Sequence, residues 1–211
     1  MKILIYSDVH GNLPAFEKMI SIEKDVDGYI CLGDLVNYGP WSNECVDLAN
    51  SLPNSILIKG NHEEAFINGY YSGTNTLVRD FFNSTYSSFS RVDSINKFVL
   101  DFKFGNFICK HTLGECYIYP ETDVILKDNY LIGHSHIQFI YKNNNFILYN
   151  AGSVGQNRMF INEINYLIYN SEFKSIEMKS AIYNVDLLIN KMAVLCYPEN
   201  CINYYQNKKR K

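Results

Sequence analysis

The sequence predicts an α/β protein in which two β-sheets pack face to face with helices outside them. Up to about residue 90, apolar strand-like runs alternate with amphipathic helical segments, as in parallel βαβ units. From residue 97 onward, short alternating strands are separated by tight turns, which is typical of hairpins. The 211 residues contain no internal repeat and no linker, so we expect a single domain over 1–205.

The first part of the chain opens on an apolar run over 3–6, which predicts a buried strand. Asn12 then caps an amphipathic helix, and a second strand covers 28–32. Strand, helix and strand in this order form a parallel unit, whose loops collect beyond the carboxyl ends of the strands. The pattern repeats with a helix over 41–49, a strand over 55–59 and a loop over 60–63.

The later part of the chain predicts two helices and seven short strands. One helix covers about 74–89, with Thr74 as its cap, and a final helix covers about 186–195. The predicted hairpin turns are 103–105, 143–145 and 170–172. The predicted strands are 98–102, 106–111, 130–133, 138–141, 146–149, 165–169 and 174–178.

The distribution of charge along the chain indicates which classes of partner the protein can bind. The chain carries a net charge of −3, but its last four residues, 208–211, are all basic. Without these four, the chain has 19 − 4 = 15 positive and 22 negative groups, a net charge of −7. An acidic body argues against binding to duplex nucleic acid, because phosphate contacts need clustered Lys and Arg. We interpret 206–211 as a basic, disordered tail rather than a binding arm.

Composition indicates a soluble globular protein of the cytoplasm. Apolar residues make up 47% and charged residues 19%, and no apolar stretch approaches the roughly 18 residues of a membrane span. The start of the chain lacks the cleavage site of a signal peptide. The cysteines match no zinc-binding spacing, and we expect reduced core residues. The cysteines are Cys31, Cys45, Cys109, Cys116, Cys196 and Cys201.

All five histidines lie at the ends of apolar strand-like runs, beside Gly, Asp, Asn or another His. Asp8 and His10 are two residues apart, and residues two apart on an extended chain point the same way. Alone, such a pair is more typical of a turn. His134 and His136 repeat the spacing after a later strand. The candidate metal ligands are Asp8, His10, Asp34, Asn61, His111, His134 and His136.

These candidates offer nitrogen and oxygen donors and no thiolate. Such donors suit Mn, Fe, Zn, Ni or Co ions rather than a structural zinc finger. Seven donors are too many for one ion and are about right for two ions that share a bridging carboxylate. We therefore expect two divalent transition-metal ions, with manganese as the first choice.

Five linked motifs resemble those of the calcineurin-like metallophosphoesterases. The resemblance runs from residue 3 to about residue 158, and the flanks 34–40 and 150–158 are most similar to a small prokaryotic branch described as diadenosine tetraphosphatase or phosphodiesterase relatives. It implies a four-layer α-β-β-α sandwich of two mixed β-sheets flanked by helices. The motifs are Asp8-Val9-His10-Gly11, Gly33-Asp34, Gly60-Asn61-His62-Glu63, His111 and Gly133-His134-Ser135-His136.

The resemblance also implies a role for each motif residue. Two cations about 3.5–4 Å apart lower the pKa of a shared water, and the bridging hydroxide then attacks the phosphoryl group in line. His62 is implied to be the general acid that protonates the leaving oxygen. The implied ligands of one metal are Asp8, His10, Asp34 and His136, and those of the other are Asp34, Asn61, His111 and His134, with Asp34 as the bridge.

One departure concerns the second motif. In the protein serine/threonine phosphatases, the positions of Asn37 and Tyr38 hold an Asp that supports the catalytic His and an Arg that grips phosphate. Tyr cannot replace a bidentate guanidinium, which argues against phosphoprotein phosphatase activity. Arg158 is either a substitute phosphate anchor or a surface arginine. Asn12 is either a phosphate contact or only a helix cap.

The sequence favours a di-metal phosphoesterase, either a phosphodiesterase or a nucleotide phosphohydrolase, that acts on a small soluble phosphate ester. Two alternatives are a phosphomonoesterase and a metal-stabilised, non-catalytic scaffold such as the retromer subunit of this fold. That subunit lacks the acid His of the third motif, whereas His62 is present here. The sequence excludes membrane insertion as a mode of action and is compatible with a homo-oligomer.

Overall fold

The computed structural model describes residues 1–114, 116–143 and 145–211. Its strands are β1 (Lys2–Tyr6), β2 (Gly28–Cys31), β3 (Ser55–Leu57), β4 (Asp101–Phe104), β5 (Phe107–Lys110), β6 (Asn129–Ile132), β7 (Gln138–Asn143), β8 (Phe146–Ala151), β9 (Glu163–Asn170) and β10 (Ser175–Ile182). Its helices are α1 (Leu13–Ile22), α2 (Ser42–Ser51), α3 (Asn61–Asn68), α4 (Thr76–Tyr86), α5 (Val92–Ile95), α6 (Asp186–Val194) and α7 (Glu199–Gln206).

The strands form two mixed sheets of five strands each, which confirms the predicted fold class. The first sheet has the order β10-β9-β1-β2-β3. Strands β1, β2 and β3 are parallel, as the βαβ pattern predicts, and β9 joins the other side of β1 in antiparallel fashion. The sheets therefore do not divide the chain into two halves, because the last hairpin returns to the first sheet.

The second sheet has the order β4-β5-β6-β8-β7. Its three central strands, β5, β6 and β8, are parallel, and only the edge strands pair in antiparallel fashion. The later part of the chain is thus less hairpin-rich than its alternating pattern suggests. Of the predicted turn over 143–145, residue 144 lies outside the described residues.

Three apolar clusters separate the layers. Residues such as Ile5, Leu32 and Leu131 fill the space between the two sheets. The other face of the first sheet packs against buried side chains from all seven helices given above. The outer face of the second sheet packs instead against the connection between β5 and β6, which contributes Ile118 and Leu126. The described residues of this connection form no helix, so a connecting segment forms the fourth layer there.

Several element boundaries differ from the predicted ones. The 60–63 segment, predicted as a loop, is the start of helix α3, and Asn75 rather than Thr74 caps α4. The short helix α5 and the last helix α7 were not predicted. Both are too short for their apolar spacing to stand out in the sequence. None of the described helices is long and apolar enough to cross a membrane.

The basic end of the chain differs from the expected disordered tail. Ile161 donates its backbone N–H to the carbonyl of Lys209 at 2.8 Å, and Lys211 Nζ lies 2.7 Å from Glu163 Oε1. Arg210 pairs with Asp186 at 2.8 Å. These contacts join the tail to the start of β9 and to α6.

The cysteines are all free, and four of the six are buried as predicted. Cys116 and Cys196 are exposed instead, so the expectation of core positions is wrong for these two. Cys116 lies in the long connection after β5, and Cys196 follows the end of α6. Neither of these two residues lies in a strand, whereas the buried Cys31 and Cys109 lie in β2 and β5.

Candidate metal centre

Loops from both sheets meet at one edge of the sandwich, where the parallel strands end. Loops and the helix start beyond the first sheet carry Asp8, His10, Asp34, Asn61 and His62. Loops beyond the second sheet carry His111, His134 and His136. The structure thus brings together the seven predicted metal ligands and His62. All of these side chains are buried except that of Asn61.

One group of donors surrounds the carboxylate of Asp8. His136 Nε2 lies 3.1 Å from Asp8 Oδ1, and His10 Nε2 lies 3.6 Å from the same oxygen. The two Nε2 atoms are themselves 3.2 Å apart. One ligand atom from each of the three residues therefore lies within 4.8 Å of the others, a spacing that one metal ion spans.

A second group surrounds the carboxylate of Asp34. His111 Nε2 lies 3.1 Å from Asp34 Oδ2, 3.0 Å from Asn61 Oδ1 and 3.0 Å from His134 Nδ1. The same Oδ2 atom lies 3.8 Å from His10 Nε2, which belongs to the first group. Asp34 Oδ2 therefore faces both groups.

The hydrogen bonds of three histidines determine which ring nitrogen is free. Each ring contacts a main-chain carbonyl through Nδ1. The pairs are His10 with Val36 (3.2 Å), His111 with Leu32 (2.9 Å) and His136 with Gln156 (2.9 Å). Because a carbonyl oxygen only accepts, Nδ1 carries the proton. In the neutral rings, Nε2 then presents a lone pair to the centre.

The arrangement of these lone pairs shows whether the site fits a cation. Nε2 of His10 and Nε2 of His136 face each other at 3.2 Å. Asp8 Oδ1 is buried beside them and receives no hydrogen bond within the described residues. Buried electron-rich atoms repel one another unless a positive charge lies among them. Imidazole nitrogens and carboxylate oxygens in this arrangement fit divalent transition-metal ions.

The electrostatics favour positive charge at the same place. Burial opposes the ionised form of Asp34, but His111 and the neighbouring histidines hold the pKa of that carboxyl below its usual range. Burial likewise opposes a charge on His111, but Asp34 raises the pKa of this imidazole to about 10. Against the effect of burial, His136 and His10 hold the pKa of Asp8 well below its usual range. The carboxylates thus stabilise a cation, whether a proton or a metal ion.

The backbone of the site is not extended, contrary to what the two-residue spacing of its side chains predicts. Asp8 and His10 have φ values of 56° and 51°, and His134 and His136 have values of 69° and 58°. Each pair converges through left-handed turns rather than through the two-residue period of a strand. Non-glycine residues in this region are strained, and such strain is concentrated at functional sites.

Glu63 organises the loop of Asp34, and the sequence analysis assigned it no role. Its buried carboxylate accepts four backbone N–H groups, those of Gly60 (2.8 Å), Asp34 (2.8 Å), Leu35 (2.7 Å) and Val36 (3.2 Å). The signal was its place three residues after the cap of α3, where a Glu reaches back in a capping box. Glu63 therefore connects α3 to the loop that carries the shared carboxylate.

His62 lies beside the centre, but its hydrogen bonding differs from that of the ligand candidates. Its Nδ1 lies 2.8 Å from Nδ2 of Asn37, and its backbone N–H donates to Asp34 Oδ1 at 3.0 Å. Its ring packs edge-on against His10, with centroids 4.9 Å apart. Burial lowers the pKa of His62 to about 3, and Asp34 opposes this only in part.

Arg158 lies at the rim of the site. Its guanidinium carbon is 5.5 Å from the centroid of Tyr117, and that ring stacks on His134 at 4.0 Å. Its backbone N–H points to the carbonyl of His136 at 3.4 Å. Arg158 is exposed, and no carboxylate pairs with it among the described residues. Its charge is thus available to an anion.

Of the two roles that the sequence offered for Asn12, the structure gives it that of the helix cap. Its Oδ1 accepts the N–H of Ala15 at 3.3 Å, which caps α1. Its Nδ2 donates to the carbonyl of Gly155 at 2.9 Å and to the hydroxyl of Tyr183 at 2.8 Å. The side chain is fully buried, and both of its polar atoms already have partners. We therefore do not retain Asn12 as a substrate contact.

A cleft of about 580 Å³ adjoins the Asp34 group. Asn61, His111 and His134 line it, and so do Lys59 and Lys110. Glu64 also lines the cleft, so its ionisable side chains other than histidine carry one net positive charge. The volume lies within the roughly 300–1,000 Å³ typical of pockets for small molecules.

The chain is similar to known proteins over nearly its whole length. It is 27% identical over 236 aligned positions to the uncharacterized protein MJ0912 of Methanocaldococcus jannaschii, with 93% of this chain and 94% of that protein covered. Its structure superposes on a metallophosphoesterase from Sphaerobacter thermophilus with a TM-score of 0.81, 24% identity and 98% of each chain covered. The hypothetical protein PH1004 of Pyrococcus horikoshii gives a TM-score of 0.80, 12% identity and 97% coverage of each chain.

At these identities the two structural likenesses show the shared fold. The family is shown by a separate comparison, in which the sequence model for calcineurin-like phosphoesterases matches residues 1–173. The matched range contains every donor of the two groups described above. Because the match covers most of its length, the chain belongs to the calcineurin-like phosphoesterase family.

Proposed function

We propose that this protein is a di-metal phosphoesterase that hydrolyses a small phosphodiester or nucleotide. The observation that carries the proposal is the convergence of buried carboxylates and imidazole lone pairs from loops of two different sheets. A protein that needed these residues only for stability would leave fewer buried acceptors without donors. The family supports hydrolysis of a phosphoester, and the donor set supports the metals.

The proposed metal ligands follow the two groups of donors. Asp34 is proposed as the shared ligand, since its Oδ2 faces both His111 and His10. The proposed ligands of the first metal are Asp8, His10, Asp34 and His136, and those of the second are Asp34, Asn61, His111 and His134. Manganese is the first metal to test, and the donor types are equally compatible with Fe, Zn, Ni or Co.

When bound, two such cations lower the pKa of a water that they share and offset charge on the phosphoryl oxygens. The protein's own residues then orient the ester. Arg158 is proposed to bind a phosphate oxygen from the rim, since its guanidinium has no carboxylate partner among the described residues. His62 is proposed to face the leaving oxygen, because Nε2 is its one ring nitrogen not engaged by Asn37.

The cleft beside Asn61 supports an ester with a group larger than a bare phosphate. Its volume of about 580 Å³ exceeds what one phosphoryl group fills, and it opens directly from the Asp34 group. Lys59 would attract an anionic or polar substituent there, whereas Lys110 already pairs with Asp101 at 3.3 Å. This favours a phosphodiester or nucleotide over a simple phosphomonoester, in a substrate small enough to enter.

Hydrolysis of bis(p-nitrophenyl) phosphate by the purified protein tests the proposal. We expect turnover that depends on added Mn²⁺ and is abolished by a chelator. A panel of metals and of nucleotides would then identify the preferred ion and ester. A protein that binds two metal ions but hydrolyses none of these substrates would contradict the proposal and support the scaffold alternative.

A further inference from the structure

The last residues of the chain are bound to its body, although their composition predicts a disordered tail. Ile161 donates its backbone N–H to the carbonyl of Lys209 at 2.8 Å. The side chain of Asn162 accepts the backbone N–H of Lys211 at 2.9 Å and donates to a main-chain oxygen of the same residue at 3.2 Å. Because these hydrogen bonds engage the main chain, they fix the path along which the basic side chains emerge.

The four basic side chains of this segment have different surroundings. Two of them pair with carboxylates, namely Arg210 with Asp186 (2.8 Å) and Lys211 with Glu163 (2.7 Å). Lys209 is exposed. Lys208 is half-buried, and its ammonium lies over the ring of Tyr204, 4.8 Å from the centroid. No described carboxylate forms an ion pair with Lys208, so its charge is balanced only by an aromatic face.

Lys208 lies within electrostatic reach of Arg158, the cation at the rim of the metal centre. Burial lowers the pKa of Lys208, and the positive charge of Arg158 lowers it further. The guanidinium of Arg158 in turn lies 5.5 Å from the centroid of Tyr117, whose ring stacks on His134 at 4.0 Å. A continuous row of neighbours therefore leads from the end of the chain to the metal centre.

A second row of contacts starts at the tyrosine that carries Lys208. The ring of Tyr204 packs edge-on against Phe81, with centroids 5.9 Å apart, and Phe81 contacts Tyr38 at 4.7 Å. Tyr38 packs edge-on against His10, also at 4.7 Å. The two rows reach the centre through different histidines, which places Lys208 and Arg158 on the same side of the protein as the metal centre.

Two neighbouring cations without a carboxylate between them repel each other unless an anion lies there. The chain has 22 acidic residues, yet none of those described pairs with either Lys208 or Arg158. Bound metal ions would add more positive charge beside them. A guanidinium binds two oxygens of a phosphoryl group at once, and an ammonium binds a further oxygen as a point charge. The pair is therefore suited to an anion with several oxygens.

We propose that Lys208 and Arg158 together bind a second phosphoryl group of the substrate, adjacent to the one that is hydrolysed at the metal centre. The proposal rests on the proposed function and narrows its substrate class to molecules with two linked phosphoryl groups, as in a nucleoside diphosphate or triphosphate. A diester with a single phosphoryl group would leave Lys208 without a partner. Lys208 is thus a residue that determines specificity and takes no part in bond cleavage.

Binding of non-hydrolysable anions tests the proposal without turnover. Isothermal titration calorimetry compares methylenediphosphonate, which has two linked phosphoryl groups, with methylphosphonate, which has one. Free Mn²⁺ is kept equal in cell and syringe, so that the anions draw no ions from the protein. We expect the wild type to bind the diphosphonate at least about tenfold more tightly, since a hydrogen bond to a charged group stabilises a complex by roughly that factor.

Lys208→Gln should remove most of this preference for the diphosphonate, and Lys208→Arg should retain it because the charge is kept. Lys209→Gln is the matched control, since it removes the same charge one residue away from an exposed side chain, and its preference should equal that of the wild type. An equal preference in wild type and K208Q would overturn the proposal. Phosphonoacetate that binds as tightly as the diphosphonate would overturn the assignment to a phosphoryl group.

A crystal structure of the Mn²⁺-loaded protein with methylenediphosphonate gives the position of the second group. We expect it between Lys208 Nζ and the guanidinium of Arg158. A second group bound instead in the cleft beside Lys59 would overturn the proposal.

The proposal and the proposed function fail in different ways. If K208Q loses the preference but no phosphoester or phosphoanhydride is hydrolysed with any metal, the proposed function fails, and Lys208 and Arg158 remain an anion-binding site. If the wild type hydrolyses bis(p-nitrophenyl) phosphate but K208Q keeps the full preference for the diphosphonate, the proposed function stands and the role of Lys208 is wrong.

Discussion

The two sheets contribute differently to the metal centre. Loops of the first sheet supply both carboxylates, and helix α3 supplies the buried Glu63, whose four hydrogen bonds hold the Asp34 loop. Loops of the second sheet supply only imidazoles. One of these loops is held by the first sheet itself, because Asp8 Oδ2 accepts the backbone N–H of His134 at 2.9 Å. The first sheet therefore supplies the negative charge, and the second sheet completes the coordination.

This comparison predicts that removing a first-sheet carboxylate has the largest effect. Asp34→Asn takes away the shared charge, so we expect kcat/KM to fall by at least about 10³-fold, or about 4 kcal/mol. The bound metal should drop below two ions per chain, as measured by elemental analysis. His134→Ala should lose less metal, since it removes a neutral ligand from one group only. Equal losses in the two variants would contradict the distinction between the sheets.

His62→Ala is expected to have the next largest effect. Loss of a single donor to the reacting oxygens lowers kcat by about 10²–10³-fold in other hydrolases. We expect most turnover of bis(p-nitrophenyl) phosphate to be lost while the metal content stays at the wild-type value. Loss of activity and metal together would mean that His62 is a ligand, which would contradict the role proposed for it.

Removal of the metal should loosen the contact between the two sheets. A ligand present at about 100 times its Kd stabilises the folded state by about 2.7 kcal/mol. For a chain of this size we expect a chelator to lower the Tm by several degrees, measured by differential scanning calorimetry. The D34N variant serves as the control, because it should respond less. An unchanged Tm would show that the ions do not hold the sheets together.

Glu63→Gln tests the support of the Asp34 loop. In this variant the amide NH₂ of Gln, a donor, would face backbone N–H groups, which are also donors and which hydrogen-bond to the carboxylate of Glu63 in the wild type. We expect a loss of about 1–3 kcal/mol in the free energy of unfolding, measured in urea. Glu64→Gln is the matched control on the same helix, since Glu64 is exposed, and it should change stability little. A stable E63Q variant would mean that the loop is held in another way.

The smallest effect is expected for Glu23, a carboxylate on the first-sheet side of the protein that lies away from the metal centre. Glu23 accepts hydrogen bonds from Lys2 (2.8 Å) and Tyr166 (3.0 Å), which outweigh burial and lower its pKa. A lowered pKa in the folded state stabilises the protein above the unfolded pKa, and this stability is lost as the pH falls through the folded value.

The free energy of unfolding should therefore fall less on acidification in the Glu23→Gln variant than in the wild type. We expect a difference below about 1 kcal/mol between pH 6 and pH 3, since Lys2 is partly exposed. Denaturation curves at the two pH values measure it. Activity at neutral pH should be unchanged, and a loss of metal in E23Q would contradict its separation from the centre.

The sequence predicted that the candidate residues lie close together, because they stand at strand ends. Parallel strands finish at a common edge, so polar residues after each strand must lie near one another. Residue spacing indicated less about backbone conformation. The two-residue spacing of Asp8 and His10 suggested an extended chain, but both residues occupy left-handed turns. Spacing shows that two side chains are close in the chain, and it does not show the φ angles that direct them.

The sequence was less informative about segments whose partners are distant. Strands β9 and β10 look like the other late strands, yet β9 pairs with β1 and extends the first sheet. Asn12 offered both a cap and a phosphate contact, and its buried bonds to Gly155 and Tyr183 leave only the cap. Such pairings depend on contacts across more than 140 residues, which local patterns do not contain.

The sequence by itself determined the order and types of the donor residues, the two-sheet class and the family of this protein. These follow from local periodicity and from motifs, which are properties of short segments. Only the tertiary structure decided which nitrogen of each histidine is free, because that depends on carbonyls and amides brought from other loops. The same residue type therefore has different partners at Nδ1: the carbonyl of Val36 in His10 and the side chain of Asn37 in His62.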